Sequence, residues 1–386
     1  MAGKRGQNEG SIYKRKDGSY SAQLSSDGKR ITKYFKTRRE AQAWIDETRN
    51  QVRNGLSLTG AQATMSEYLE HWLETAKSSL RPNTHGQYCQ IIRGHILPTL
   101  GKVRMKDLRP DMIQTLYNQK LAGGASGRTV QLIHAILHHA LDQAVKWGLL
   151  GRNPADAVVR PKTKRSEMKV LDDTQVRSLL MAARGSRFEV LFQVAVTTGL
   201  REGELLGLKW SDLDWKTRRI QVQRQVQRQT GKGIVFTEPK SAAGRRSVVL
   251  GTATIEKLRE HFQAQQLERQ TAGDLWQEHD LVFPSTVGTP LDHRNVLKVF
   301  KEFLELACLP VIRFHDLRHT AATMMLQQGV HPKVVQERLG HAEISLTLNT
   351  YSHVLPSMQE EAAEAVDSLI TLIDVSAKQA AVMDGA

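Results

Sequence analysis

Cysteine is scarce in this chain, with Cys89 and Cys308 the two examples among 386 residues. Two cysteines cannot build the disulfide framework of a small secreted domain, and no CxxC pair supplies the ligands of a zinc site. A reduced intracellular compartment is therefore the simpler expectation.

Long apolar runs are also missing. No stretch approaches the ~20 consecutive apolar residues that a membrane-spanning helix needs. The first ten residues, MAGKRGQNEG, contain no apolar run after their basic residues, so a secretory signal is not expected. No GxxxxGK[ST] phosphate loop occurs, which argues against ATP-driven chemistry. Hydrophobic residues nevertheless make up 40% of the chain, enough for packed cores in two or three domains.

Basic residues are in large excess, and the formal net charge is +14. An excess of this size favours a polyanionic partner, with DNA and RNA ahead of an anionic membrane, because no basic amphipathic anchor is present. A basic but merely solvated surface is the alternative.

The first segment, residues 1–55, predicts a three-stranded sheet packed on one helix. Strand-like runs are separated by Asp17-Gly18 and Asp27-Gly28, which are strong hairpin signals. Thr37 then begins a helix, Arg38 to Arg53, with Glu40 at the capping-box position. The segment holds 13 Lys and Arg against 6 Asp and Glu, half of the chain's excess charge. It therefore predicts a small DNA-binding module, with candidate contacts at Lys14, Arg15, Lys16 and Arg30.

The second segment, residues 64–153, predicts a helical domain. Thr64 and Glu67 form a capping box, and Pro82 and Pro110 stand where helices begin. Apolar residues then recur at helical spacing in two stripes: Met65, Tyr68, Leu69, Trp72 and Leu73, and later Val130, Ile133, Leu137, Leu141, Ala144 and Val145. A basic linker from Gly151 to Lys169 follows, and it either tracks a phosphate backbone or is simply solvated.

The third segment, residues 170–386, predicts mixed helices and one small sheet between Arg218 and Leu250. Ile220, Val222 and Val226 alternate as in a single strand. Two more strands are predicted at Ile234 to Phe236 and at Ser247 to Leu250. A terminal helix is predicted from Gln359 to about Ile373, with an apolar stripe of Ala362, Val366, Leu369, Ile370 and Ile373.

Four short motifs in the third segment carry chemistry. Arg201 stands in TGLREGELLGL, His315 and Arg318 stand in HDLRHT, His341 stands in LGH, and Tyr351 follows ten positions later. Two arginines can hold the oxygens of one phosphate, and two histidines can move protons near neutral pH. A tyrosine beside such cations can attack phosphorus and form a covalent intermediate. Such an intermediate conserves the phosphodiester energy, so no ATP is needed for resealing.

Together these motifs resemble the tyrosine recombinase (phage integrase) family. The resemblance implies a multidomain, mainly α protein with small β-sheets: an arm-type DNA-binding domain, a helical core-binding domain and a mixed α/β catalytic domain. It also implies strand exchange between two specific sites on double-stranded DNA by a homotetramer in the bacterial cytoplasm, associated with the nucleoid. A DNA-bending host factor and an excisionase are further partners that it suggests, and it implies no cofactor and no metal.

Carried over to this sequence, the resemblance assigns Arg201 and Arg318 to the scissile phosphate and Tyr351 to a 3′-phosphotyrosyl link. It makes His315 a general acid/base and lets His341 hydrogen-bond a phosphate oxygen. A lysine on a β-hairpin serves the family as general acid for the 5′-hydroxyl leaving group. Lys240 is the matching position and Lys232 the rival.

Other functions compete with this interpretation. His315 and His319 have the spacing of zinc ligands, but Asp316 replaces the glutamate of HExxH and Arg318 would repel a cation. A family member could also have lost its chemistry and act as a DNA-binding regulator, although all six expected site positions are filled here. A hairpin-forming or topoisomerase-like enzyme is a third alternative.

Overall fold

The computed structural model of the protein describes residues 10–26, 29–53, 62–163, 168–229, 231–239 and 242–351, with residues 363, 364, 366–368 and 370. For residues 25, 26, 29, 47, 50–53, 242, 346 and 349–351 it describes the backbone alone. Contacts divide the chain into two units, Met1–Arg165 and Ser166–Ala386.

The first unit begins with an antiparallel sheet in the order β1-β2-β3, formed by Ser11–Lys14, Tyr20–Ser26 and Lys29–Phe35. Helix α1, Arg38–Arg53, starts at the predicted capping box, where the Glu40 amide donates to Thr37 Oγ1 at 3.2 Å. One face of the sheet packs on this helix around Ala22, Leu24, Ala41 and Ile45. The predicted sheet and helix are confirmed, while the second turn, Asp27-Gly28, lies outside the described residues.

The rest of the first unit is helical, as predicted. Its helices are α2 Met65–Ala76, α3 Pro82–Ile91, α4 Leu97–Leu100, α5 Pro110–Ala122 and α6 Gly127–Lys146. A π-helical turn, Ile92–Ile96, joins α3 to α4. The Thr64–Glu67 capping box is formed, and the apolar stripes of α2 and α6 enclose one core, separate from that of the sheet.

The first half of the predicted linker packs against the helical domain. Pro154–Ala157 forms a 3₁₀ turn next to α6, where the Asn153 side-chain Nδ2 donates to the His138 carbonyl oxygen at 3.1 Å. The Val159 amide donates to Gln114 Oε1 at 2.9 Å. The basic linker therefore begins several residues later than the sequence predicted, because its first residues pack on the helical domain. The division of the whole chain into three domains stays a prediction.

The second unit contains the helices and small strands predicted for the third segment. The helices are α7 Asp173–Ala182, α8 Glu189–Thr198, α9 Glu202–Leu206, α10 Thr252–Ala272, α11 His293–Leu306, α12 Phe314–Gln327, α13 Pro332–Leu339 and α14 Ile344–Tyr351. The strands are β4 Leu213–Asp214, β5 Arg219–Val222, β6 Gln225–Gln229, β7 Gly233–Thr237 and β8 Arg246–Val249. Phe192 of α8 is fully buried in the core, where its ring makes tilted or edge-on contacts with Phe300, Phe303 and Phe314.

The sheet prediction needs one correction. Ile220, Val222 and Val226 do not share a strand, because the chain breaks between β5 and β6 and forms two sheets, β4-β5-β8 and β6-β7. At the break, Arg224 pairs with the buried carboxylate of Asp212. Alternation by itself could not reveal this, since the side-chain period continues across the break.

The terminal helix is described at a few positions. Residues 363, 364, 366–368 and 370 are helical, and Val366 and Ile370 are exposed. The remainder of the predicted helix lies outside the described residues. Among the helices that are described, none is long and apolar enough to cross a membrane.

Candidate active site

Arg201 stands in extended backbone immediately before α9, and Glu204 fixes its direction. The Glu204 carboxylate accepts the Arg201 backbone N–H at 3.0 Å and its guanidinium at 2.6 Å. Glu204 is buried, whereas the Arg201 side chain keeps 36% of its surface exposed. The guanidinium is therefore anchored on its inner side and open on the other.

Glu204 is charged because a second arginine also reaches it. Burial raises the pKa of its carboxyl, but the hydrogen bond and charge of Arg246, with the charge of Arg201, outweigh burial and lower the pKa below its ordinary value. Arg246 Nη2 lies 2.9 Å from Glu204 Oε2. The result is a buried carboxylate held between two guanidiniums.

Arg318 enters the same region from α12. Its side chain is buried, and its Nη1 donates to the Gly199 carbonyl oxygen at 2.8 Å. Gly199 ends α8 with φ +66°, and a Cβ there would approach Leu339 Cδ2 to 2.5 Å. The left-handed φ favours glycine at this position. Arg318 of the HDLR box thus binds the backbone two residues before Arg201 of the TGLR box.

His341 is brought to this cluster by a second left-handed glycine. Gly340, with φ +68°, ends α13, and its carbonyl oxygen accepts Arg201 Nη2 at 3.3 Å. His341 Nδ1 lies 2.8 Å from the hydroxyl of the buried Thr347 on α14. This contact leaves Nε2 as the ring nitrogen for a ligand.

The surroundings of His341 lower the pKa of its imidazole. Desolvation, and then the charges of Arg318 and Arg201, lower its pKa to about 4. The imidazole is therefore neutral near pH 7 in the free protein.

His315 lies on the exposed side of the first turn of α12, and its ring is 5.1 Å from that of His319. Partial desolvation, followed by His319, Arg318 and Arg313, lowers the pKa of His315 to about 4. Asp316, on the same turn, pairs with Arg313 at 2.7 Å.

Of the six expected positions, one lies outside the described residues and another is described by its backbone alone. Lys240 lies outside the described residues, between Pro239 and the short 3₁₀ turn Ala242–Gly244. A Cβ on Gly244 would come within 2.6 Å of Pro239 Cβ, so the ends of this loop are close together. Tyr351 is the last residue of α14, the helix that holds Thr347, and its side chain is outside the described part.

The rival Lys232 sits in the turn at the far end of the β6-β7 hairpin, where its amide donates to the Gln229 carbonyl oxygen at 3.2 Å. Within the described ranges, the group whose ligand atoms are spaced for a metal ion is His138, Asp142 and Asp156 of the first unit. Both ring nitrogens of His138 contact these carboxylates, at 3.3 and 2.8 Å.

The candidate DNA contacts fall on different faces of the N-terminal sheet. Tyr13 and Tyr34 lie on either side of Ser21 in one cross-strand row, on the face of the sheet opposite α1. Both tyrosines are exposed. The Arg15 guanidinium lies 4.6 Å from the Tyr34 ring centroid. Lys14 shares a row with Tyr20, which packs towards α1. The remaining two candidates, Lys16 and Arg30, are both exposed.

Sequence reasoning missed four residues that shape the site. Arg246, Gly199, Gly340 and Thr347 carry no chemistry of their own in a motif search, yet each fixes an arginine, a carboxylate or a histidine. The two glycines could have been noticed, since both directly follow helix-forming stretches inside boxes that the sequence singled out.

Comparison with known proteins settles the family. Residues 169–358 match the model of the phage integrase family, and residues 64–121 match that of the phage integrase N-terminal SAM-like domain. A "tyrosine recombinase XerC-like" protein of Caldanaerobacter subterraneus subsp. tengcongensis is 34% identical over 364 residues, covering 89% of this chain and 93% of its own.

This chain belongs to the phage integrase family of tyrosine recombinases. The ICEBs1 integrase of Bacillus subtilis is 26% identical over 93% of this chain and all of its own length. An integrase of Streptomyces ambofaciens is 28% identical over 96% and 98% of the two chains. The matched range 169–358 spans the six expected positions, whose roles at the site stay predictions: Arg201, Lys240, His315, Arg318, His341 and Tyr351.

Solved integrase structures share the fold. The Tn1549 transposon integrase in complex with circular-intermediate DNA aligns with a TM-score of 0.69 at 21% identity, over 79% of this chain and 99% of that one. A lambda integrase dimer bound to a core site aligns with a TM-score of 0.58 at 19% identity, over 90% and 96%. The predicted multidomain, mainly α architecture is thereby confirmed.

Proposed function

We propose that this protein cleaves and rejoins DNA at specific sites through a covalent 3′-phosphotyrosine, and so integrates or excises a mobile element. The observation that carries this is the convergence of Arg201, Arg318 and His341 on one point, with Tyr351 ending the next helix. The names of the relatives favour recombination over the alternative of a regulator without chemistry.

Arg201 and Arg318 bind the scissile phosphate in this proposal. Their guanidiniums converge from α9 and α12, and both are fixed by protein acceptors on one side. Fork-shaped donors that are held in advance stabilise the charge of a pentacoordinate phosphorus without reorganising during the step.

The two histidines complete the phosphate site. Both are neutral in the free protein because their pKa values are lowered to about 4. A bound phosphate places negative charge beside them and raises both pKa values towards neutrality. His341 Nε2 then hydrogen-bonds a phosphate oxygen, and His315 accepts or donates the proton of the nucleophile.

Tyr351 attacks phosphorus through its hydroxyl oxygen. The Oη–P bond forms, the bond from phosphorus to the 5′ oxygen breaks, and that oxygen takes a proton from Lys240. Reversal by a 5′-hydroxyl of the partner strand reseals the DNA. No ATP is consumed, because the phosphotyrosine keeps the energy of the broken bond.

The N-terminal sheet would bind a second class of DNA site. Its open face, with Tyr13, Tyr34 and Arg15, offers stacking surfaces and charge to a groove or backbone. We propose residues 1–55 as an arm-site domain, residues 64–153 as the core-binding domain and residues 170–386 as the catalytic domain. A DNA-bending host factor and an excisionase would act together with the arm-site domain.

Assembly on paired sites is the last part of the proposal. A lambda integrase tetramer has been solved on a Holliday junction, and we propose four copies of this chain on two duplexes. The predicted terminal helix, residues 359–373, contains four acidic and no basic side chains beside its apolar stripe. It would dock on a neighbouring copy at a cavity of about 750 Å³ with an apolar floor and a basic rim of Lys169, Arg294, Lys298, Lys301 and Arg313. Gel filtration on DNA after truncation at Val354 tests this, and unchanged assembly refutes it.

The test of the reaction uses a nicked DNA that carries a core site and traps the covalent intermediate. Wild-type protein and Tyr351→Phe are incubated without metal or ATP and run on a denaturing gel. A slow covalent band in wild type alone is the expected result. A band in both proteins removes Tyr351 as nucleophile, and no band in either, with binding intact, favours the regulator.

A further inference from the structure

Thr347 is fully buried on α14, and its hydroxyl contacts the ring of His341. The hydroxyl oxygen lies 2.8 Å from His341 Nδ1. In the described part of the chain, this is the hydrogen bond that the His341 ring makes. The direction of this bond therefore decides whether Nδ1 or Nε2 carries the hydrogen of the neutral ring.

The hydrogen of the Thr347 hydroxyl is available to the ring. Threonines inside helices often donate to the carbonyl oxygen four residues earlier, as Thr320 does to Asp316 at 2.9 Å. Among the described residues, Thr347 makes no such bond, and its hydroxyl contacts His341 instead. A hydroxyl whose hydrogen is not bound by the backbone can donate it to the lone pair of an imidazole nitrogen.

The partner of one ring nitrogen decides where a neutral imidazole carries its hydrogen. A carbonyl oxygen only accepts, so the nitrogen that it contacts must carry the hydrogen. His261 is such a case, since its Nε2 lies 2.8 Å from the Val282 carbonyl oxygen. A donating hydroxyl has the opposite effect: Nδ1 keeps its lone pair, and the hydrogen lies on Nε2.

The charge state of His341 makes this choice matter for binding phosphate. Burial, followed by the charges of Arg318 and Arg201, lowers the pKa of His341 to about 4, so the ring holds one hydrogen at neutral pH. A phosphate oxygen accepts hydrogen bonds, so a neutral ring binds it only through the nitrogen that carries the hydrogen. With the hydrogen on Nδ1, the lone pair of Nε2 would face the phosphate and repel it.

We propose that Thr347 is a positioning residue whose hydroxyl donates to Nδ1 and keeps the hydrogen of neutral His341 on Nε2, the nitrogen left for the scissile phosphate. The contact of His341 with phosphate rests on the proposed recombinase function, whereas the direction of the Thr347–His341 bond does not. Thr347 itself touches no reacting atom. When His341 takes up a second proton, the hydroxyl rotates and accepts from Nδ1, so the same contact serves both charge states.

The direction of the bond is measured by NMR on the free, full-length protein at neutral pH. The ring nitrogens of its histidines are isotope-labelled, and the His341 signals are identified by their absence in His341→Ala. We expect the hydrogen on Nε2 and a hydrogen-bonded lone pair on Nδ1. The Nδ1 signal should move to that of a lone pair without a donor in Thr347→Val and stay near wild type in Thr347→Ser. A hydrogen on Nδ1 in wild type, or an unchanged Nδ1 signal in Thr347→Val, would overturn the proposal.

Formation of the covalent adduct on nicked core-site DNA measures what the bond contributes. We expect Thr347→Val to react about tenfold more slowly in a single turnover, because a buried acceptor has lost its donor. Binding of core DNA should be unchanged, since it depends on many backbone contacts. Thr347→Ser should regain most of the rate.

The matched control is Thr323→Val. Thr323 is also buried, on α12, and its hydroxyl has no hydrogen-bond partner among the described residues. Removal of that hydroxyl leaves no acceptor unpaired, so the rate should stay within about twofold of wild type.

A double variant separates a role through His341 from a role in folding. In a His341→Ala background, Thr347→Val should cost little more, because the contact that it removes is already lost. Equal losses with and without the His341 ring would overturn the proposal, as would an unchanged rate of Thr347→Val. If Thr347→Val does not fold, the ring signals of wild type still decide the direction of the bond. Failure of wild type to form the adduct, with the hydrogen on Nε2, would instead refute the proposed function.

Discussion

The N-terminal sheet and the Arg201–Glu204–Arg246 cluster use the same residue type in opposite ways. On the sheet, Arg15 and Arg30 are exposed, and the Arg15 guanidinium contacts the Tyr34 ring and pairs with Asp17. In the cluster, Arg246 is enclosed and every contact is directional. Exposed arginines can bind an anionic partner with an affinity that depends on salt, whereas buried ones fix the positions of the groups that they contact. The following predictions test that difference.

The largest effect should come from removing the charge of Glu204. Glu204→Gln leaves two arginines without their shared carboxylate, and breaking a buried ion pair costs about 3–5 kcal/mol of unfolding free energy. Chemical denaturation measures it. Glu74→Gln, at an exposed pair with Lys77, is the control and should change stability by less than about 0.5 kcal/mol. Similar losses of unfolding free energy for Glu204→Gln and Glu74→Gln would mean that the buried ion pairs stabilise the protein no more than an exposed one.

Arg318→Lys keeps the charge near the phosphate but loses the fork. We expect covalent cleavage to fall roughly 10²–10³-fold, because a donor aimed at transition-state charge is lost. Binding to a core site rests on many backbone contacts and should change little. Gel-shift and suicide-substrate assays separate the two, and a parallel fall in both would make Arg318 an ordinary binding residue.

On the N-terminal sheet, Arg15→Ala and Arg30→Ala should each weaken arm-site binding and reduce its salt slope by about 1. Lys14→Ala is the matched control, since Lys14 lies in a row that faces α1 and should have the smaller effect. Titrations of arm-site DNA at several salt concentrations measure the affinity and the salt slope of each variant. Core-site cleavage should be unchanged in all three variants, and in protein lacking residues 1–55; loss of cleavage would contradict the modular reading.

The last prediction concerns pH. The pKa of His341 is about 4 in the folded protein, below its ordinary 6.5, so the unfolded chain binds more protons between these values. Stability is fully present above about pH 6.5 and declines as pH falls towards 4. His341→Asn should decline less.

Core DNA should reverse this shift and cause proton uptake at about pH 5.5, because phosphate stabilises the imidazolium. Calorimetry in buffers of different ionisation enthalpy measures the uptake. No uptake, or the same uptake by His341→Asn, would place the phosphate away from His341.

Local patterns predicted much of this fold. Capping boxes at Thr37 and Thr64, prolines at the first turns of α3 and α5, and the Asp17-Gly18 turn all act within a few residues, so their signals survive in the sequence. The prediction of one strand through Ile220 and Val226 was wrong because the chain breaks near Arg224, which pairs with the buried carboxylate of Asp212, a residue outside the strand pattern.

The sequence by itself determined which side chains could do the chemistry, because the reactive residues stand in short boxes of fixed spacing. The tertiary structure alone decided how they are held. Arg246 reaches acceptors 42 and 92 residues away, and Arg318 and Arg201 reach glycine carbonyls 119 and 139 residues away. Contacts across such separations depend on how helices and sheets pack against each other, and that packing leaves no local period for a sequence pattern to display.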